Sequence, residues 1–244
     1  MHDSFNTISA SVYQQIKRDI IFGALEPGTK LKLNALKVRY HASLTTLRET
    51  LNRLSSEGFV RAEEQRGFFV SPVSPEDLSE ITDLRVLLEC WAVSTSVING
   101  NTDWEGNLVA AHHKLALMEK RLLDGDDSQK ELWKRYDREF HLTLIEACNS
   151  RNMLDIHAVV HDKYLRYQML ILTYRGLDAA EEHHAIFEAA IARDAETTAT
   201  LLEQHIRLGL EHTLEALSSD AHTLVDQSLS TDSLRAFSRN ETAR

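Results

Sequence analysis

Residues 44–70, LTTLRETLNRLSSEGFVRAEEQRGFFV, decide the fold. Leu47, Leu51 and Leu54 recur at helical spacing, which predicts a helix from about Ser43 to Glu57 with one buried face. Gly58 follows as its stop, since glycine takes the left-handed position after a helix without strain. Two short β-type runs come next, FVRAE and GFFVSPV, joined by the polar EEQRG, and this pattern predicts a hairpin.

Upstream, SASVYQQIKRDIIF at 9–22 places Val12, Ile16, Ile20 and Ile21 on one helical face. Gly23 and the turn LEPGTKL end that helix, Leu31 and Leu33 suit a short strand, and Asn34 is placed to cap a short helix through Tyr40. Three short helices and a hairpin make a winged helix-turn-helix, whose second reading helix fits the DNA major groove.

Downstream, Ser71-Pro72-Val73-Ser74-Pro75 marks a boundary, and no proline follows it. Helical periodicity then predicts spans at 75–99, 103–123, 127–148, 152–174, 178–193 and 195–217. The fold class expected is mainly α: a winged helix-turn-helix with a small β-hairpin wing, then an all-helical antiparallel bundle. The domain plan is 1–72 for DNA, 73–77 as linker, 78–217 as the helical domain, and 218–244, rich in Ser, Thr, Asp and Arg, as a mobile tail.

The net charge of −10 argues against nucleic acid, but its distribution reverses that reading. Residues 1–74 hold ten Lys and Arg against seven Asp and Glu, or +3, while the rest holds 17 against 30, or −13. Cys90 and Cys148 form no metal-type pair and are expected as reduced thiols of a cytoplasmic protein. No apolar run has the length of a membrane span, so no membrane partner is expected.

Hydroxyls and free backbone N–H groups at the start of the reading helix, at Ser43, Thr45 and Thr46, suit phosphate oxygens. Arg48 can hold guanine or phosphate, and Arg66 and Gly67 would let the wing approach the duplex. The motif Leu47-Arg48-Glu49, Leu51, Leu54, Glu57-Gly58-Phe59-Val60 and Gly67-Phe68-Phe69-Val70 resembles the N-terminal domain of the GntR family of bacterial regulators over about 9–72. The resemblance implies DNA contact by Ser43, Thr45, Thr46, Arg48 and Gly67. Two positions depart from the family pattern: Leu44 stands where an Arg is usual, and Asn34 where some members place another. Lys37, Arg39, Arg48 and Arg66 are then the cations left to carry the contact.

In the second region Asp137 and His141 are four apart, hence on one helical face, with His183 and His205 on later helices. An Asp and three His suit a divalent cation, Zn²⁺ first, with Ni²⁺ or Mn²⁺ as further options. Spacing alone leaves His157 with His161, and the doublets His112-His113 and His183-His184, as other combinations. The segments DLRVLLE at 83–89, YDREFHLTLIEAC at 136–148, EHHAIFEAAIARD at 182–194 and LLEQHI at 201–206 are similar to the FCD ligand-binding domain of the FadR branch of GntR regulators. That resemblance implies Asp137, His141, His183 and His205 as metal ligands, and Arg85 as the partner of a ligand carboxylate. Arg85 could instead pair with Asp83 or Glu89 along its own helix. Tyr167 and Arg166 are further candidate ligand contacts.

The expected function is a DNA-binding regulator, a repressor, that acts as a homodimer on a palindromic double-stranded operator and is controlled by a small carboxylate effector at the metal site. The alternative from another class is a metal-dependent hydrolase or lyase, against which stands the lack of HExxH and of a general base beside the metal set.

Overall fold

Val12, Tyr13, Ile16, Ile20 and Ile21 line one face of helix α1 (His2–Ile21), and all five are buried. The computed structural model describes residues 2–171 and 174–238, with side-chain surroundings for 10–171 and 174–218. The α1 face packs on helix α3 (Leu44–Ser56), where Leu47, Leu51 and Leu54 are fully buried. Helix α2 (Leu33–Tyr40) lies beside α3 and ends at His41, whose φ of 50° turns the chain into the reading helix. Asn34 does not cap α2. Lys32 holds that position without a side-chain bond, because the helix already begins at Leu33.

The wing is β2 (Val60–Glu63) paired antiparallel with β3 (Gly67–Val70). A third strand, β1 (Lys30–Leu31), pairs with the other edge of β3, so the hairpin is a three-stranded sheet of order β1-β3-β2. Gly58 has φ +83°, a backbone conformation that favours glycine, whereas the nearby Lys163 Nζ, at the end of a flexible side chain, could swing aside from a Cβ.

Helix α4 (Pro75–Asn99) starts within the expected linker, with Ser74 as N-cap accepting from the Asp77 backbone N–H. The other helices are α5 (Thr102–Leu123), α6 (Lys130–Ile145), α7 (Arg151–Ile171), α8 (Leu177–Ile191) and α9 (Ala195–Ser238), with short 3-10 turns flanking α6. α9 runs on past 217, where a tail was expected, since neither Gly nor Pro stops it before Ser238. Trp104, Leu108, Leu115, Phe140, Leu144, Ile186 and Leu202 form the helical core. α7 also reaches the first domain: Leu165 belongs to its core cluster and Met169 packs against it.

Candidate functional site

Asp137 and His141 lie one turn apart on α6, His183 is on α8 and His205 on α9. All four are buried, and one donor atom from each lies within 4.8 Å of the others. His183 is 1% exposed while its neighbour His184 is exposed, so only the first of the doublet faces the cluster.

The outer nitrogens of the three imidazoles are each held by a different carboxylate. His141 Nδ1 donates to Glu89 Oε2 at 3.1 Å, His183 Nδ1 to Glu119 Oε1 at 2.6 Å, and His205 Nδ1 to Glu182 Oε2 at 2.6 Å. An ionised carboxylate only accepts, so each Nδ1 carries the proton and each Nε2 lone pair is left for the centre. Lys134 Nζ holds Asp137 Oδ2 at 3.3 Å. His183 Nε2 is a buried atom with no hydrogen-bond partner, 3.3 Å from Asp137 Oδ1. An orphaned ring nitrogen beside a carboxylate, ringed by carboxylate-oriented imidazoles, fits a divalent cation.

The electrostatics agree. Burial opposes the Asp137 charge, but Lys134 and the nearby imidazoles outweigh it and hold the carboxyl well below its usual range. Burial, then the Arg85 charge, pushes His141 down; burial, then His183, does the same to His205. Burial also lowers His183, yet the facing Asp137 and Glu119 carboxylates outweigh it and hold that ring up at about 9. Without a metal, the centre therefore keeps one imidazolium proton beside an aspartate, between two neutral rings.

The cluster opens on a cavity with about 40 Å³ of free space, lined also by Arg85, Lys134, Tyr164, Gln168 and Arg175. Gly209 shapes one wall: a Cβ there would sit 2.8 Å from the Tyr164 hydroxyl. Arg85 does reach the cavity, but its Nε bonds Glu89 at 2.6 Å and its Nη2 lies 3.1 Å from His141 Nδ1. Arg85 thus lines the cavity while it is paired with Glu89 along its own helix. Tyr167 corrects the sequence reading. Its hydroxyl donates to Asp77 at 2.6 Å and accepts from the Ser74 N–H at 3.1 Å, at the junction between domains. Three residues earlier, Tyr164 faces the cavity instead, because the two tyrosines fall on adjacent faces of α7. Arg166 is likewise drawn to the junction, donating to Ser71 O.

Glu89, Glu119, Glu182, Lys134 and Arg175 were not among the sequence candidates for this centre. Only Glu182, next to His183, and Lys134, one turn before Asp137, carry a local signal. His157 Nε2 lies 2.8 Å from Glu89 Oε1, and His161 is buried beside it, so this pair packs behind the centre.

On the first domain, Ser43 caps α3 by accepting from the Thr46 N–H at 3.1 Å, and its hydroxyl lies 2.9 Å from Thr46 Oγ1. Thr45 and Arg48 are exposed, Thr46 is half-buried, and Arg48 has no ion pair among the described residues. Arg66 is exposed on the wing and pairs with Glu63 at 2.6 Å; Gly67 follows with φ +94°. Arg39 is tied to Asp19 at 2.6 Å.

An ion-pair chain joins the two regions. Arg138, next to the cluster's Asp137, donates to Asp162 at 2.9 Å; Asp162 binds Lys17 of α1 at 2.8 Å; Lys17 binds Glu57 at 3.2 Å, at the end of the reading helix.

Residues 8–70 match the family model described as bacterial regulatory proteins, gntR family, and residues 80–208 match the FCD domain. The chain is a GntR-family regulator with a C-terminal FCD domain. The regulator is 34% identical to the HTH-type transcriptional regulator BphR of Paraburkholderia xenovorans over 80% of this chain and 81% of that one. It is 29% identical to the HTH-type transcriptional repressor GlaR of Escherichia coli over 80% and 90%. Among solved structures, the regulator shares its fold with E. coli McbR/YncC, at TM-score 0.71 and 24% identity over 85% of this chain and 97% of that one. A GntR regulator from Rhodococcus sp. RHA1 gives TM-score 0.68 and 23% identity over 85% and 98%. These relatives are regulators, so the hydrolase or lyase alternative falls away. Among the described residues no helix is long and apolar enough to cross a membrane.

Proposed function

We propose that this regulator is a repressor whose grip on a palindromic operator is controlled by a small carboxylate bound at a divalent-metal centre. The observation that carries the reading is the convergence of Asp137, His141, His183 and His205 beside the Arg85 guanidinium, in a chain that also exposes a reading helix. Ser43, Thr45, Thr46 and Arg48 at the start of α3 contact the duplex, with Arg66 and Gly67 on the wing. Two copies place two such heads about 34 Å apart, one duplex turn.

The donor set of one carboxylate and three imidazoles suits Zn²⁺ best, with Ni²⁺ and Mn²⁺ also matching. A cation held there would supply open coordination positions for a carboxylate oxygen. Arg85 adds a directional donor: Nη1 has no protein acceptor among the described residues, while Glu89 fixes the other side of the fork. Lys134 and Arg175 make the rest of the cavity wall cationic. The free space of about 40 Å³ holds only about three or four waters, since each needs roughly 10–15 Å³. An acid of several carbons therefore moves the wall, and Arg175, on the connection between α7 and α8, is the wall residue outside the helices. Movement of α6 or α7 reaches the reading helix through Arg138, Asp162, Lys17 and Glu57. The acid changes DNA affinity only as far as it prefers one placement of the heads.

The test is a gel shift on the DNA upstream of the regulator's own gene, with a panel of mono- and dicarboxylic acids, beside thermal melts. One acid should release the DNA and raise the melting temperature, and Arg85→Ala should blunt both. A panel that leaves DNA affinity and melting unchanged would remove the sensor reading.

A further inference from the structure

Lys163 and Arg166 stand three residues apart on α7, hence on one face, and both border a cleft between the two regions of the chain. The cleft has about 670 Å³ of free space, within the range of small-molecule sites. Its other walls come from both sides of the junction: Val60 and Arg61 of β2, the linker at 71–74, and Ile81 of α4.

Arg166 is only 4% exposed, yet no carboxylate lies within ion-pair distance of it among the described residues. One end of its guanidinium donates to Ser71 O, and the buried Nε has no hydrogen-bond partner among the described residues. Asp77 also lines the cleft, but its Oδ2 is taken by the Tyr167 hydroxyl at 2.6 Å. Burial outweighs the attraction of Tyr167 and Asp77 and holds the Arg166 pKa below its ordinary value. A buried cation without a paired anion is costly, and here it stands at the edge of an open cleft.

Lys163 repeats the pattern. It is half-buried, its Nζ lies beside Gly58 at the carbonyl end of α3, and it has no ion pair among the described residues. The helix carbonyls offer it a partial charge only. Glu63, the other carboxylate of the cleft, is held by Arg66 at 2.6 Å. Two positive charges on one face are thus left unmatched, in a chain whose net charge is −10. A phosphate monoester carries about −1.5 to −2 at neutral pH, which fits that surplus. Its oxygens suit both a guanidinium and an ammonium. Val60 and Ile81 offer apolar wall to the organic part of such a molecule.

We propose that this junction cleft is a second ligand site, separate from the metal centre, that takes the phosphate group of a small organic phosphate between Lys163 and Arg166. Arg166 also holds Ser71 O, and Tyr167 accepts from the Ser74 N–H, so the two ends of the linker are both tied to α7 beside the ligand. The occupant braces the linker between the DNA-binding region and the helical domain. Nothing in this assignment depends on the metal or on the acid.

The experiment is isothermal titration calorimetry of the full, metal-loaded chain with phenyl phosphate, with succinate as competitor. Phenyl phosphate should bind once per chain and slow amide hydrogen exchange at 71–77. Arg166→Gln, whose amide can still donate to Ser71 O, and Lys163→Gln should each weaken binding about tenfold or more, with metal content unchanged. Lys163 is only half-buried, so its variant keeps the test decisive should Arg166→Gln fail to fold. Arg85→Ala, at the metal cavity, should bind phenyl phosphate as the wild type does. No saturable binding, wild-type affinity in the glutamine variants, or loss of binding in Arg85→Ala alone would overturn the proposal. Displacement by an equal concentration of succinate would overturn the assignment to phosphate.

Discussion

Glu119 of α5 and His183 of α8, 64 positions apart in the chain, are joined by a 2.6 Å hydrogen bond from imidazole Nδ1 to carboxylate. The bond fixes the ring so that Nε2 faces Asp137, and it does so from a helix that supplies no donor to the centre. Glu119→Gln should therefore weaken metal binding about tenfold, the low end for loss of such a supporting carboxylate, without unfolding the chain. Competition against a chromophoric chelator reads this directly, and unchanged affinity would show that the carboxylate does not orient the ring.

The histidine doublet separates a ligand from its neighbour. His183→Ala should abolish stoichiometric metal in elemental analysis, while His184→Ala, on an exposed position, should retain it. The opposite pattern would reassign the centre.

Metal removal should also loosen the fold. A ligand at a hundred times its Kd stabilises the native state by about 2.7 kcal/mol, so chelation should lower the melting temperature by roughly 5–10 °C. Refilling with Zn²⁺ should restore it. Equal melts with and without metal would mean that the cluster holds none.

Arg48 is exposed and has no ion pair among the described residues, so Arg48→Ala should change stability by no more than about 0.5 kcal/mol. Its loss should cost about 1–3 kcal/mol of operator binding, roughly 5- to 150-fold in a gel shift. Metal content should not change.

Asp162 takes Lys17 from the first domain and Arg138 from the second. Asp162→Asn should leave metal and acid binding in place while changing the acid-dependent shift in DNA affinity by about 0.5–2 kcal/mol. A shift identical to wild type would rule out this route of coupling.

Much of the fold was legible because its signals are local and periodic. Leu47, Leu51 and Leu54 announce α3, and the four-residue step from Asp137 to His141 puts both on one face of any helix that carries them. A short strand was expected at Leu31 and Leu33, but not that Lys30 and Leu31 would pair with Phe69 and Phe68 and widen the hairpin to three strands, since two residues carry no signal of what they pair with. Tyr167 was misread for a related reason: in YLRYQML two tyrosines sit three apart, and nothing local tells which faces the cavity and which the junction at Asp77. Glu119 was illegible because its role exists only once α5 packs on α8. Periodicity reports which face of a helix is buried, not what that face meets.

The most direct test of acid control through the metal centre is operator affinity measured four ways, on metal-loaded and chelated protein, each with and without the acid that best stabilises it. The loaded protein should lose DNA when the acid is added, and the chelated protein should show no response. If the acid releases DNA equally well after the metal is removed, Asp137, His141, His183 and His205 do not form the sensing centre.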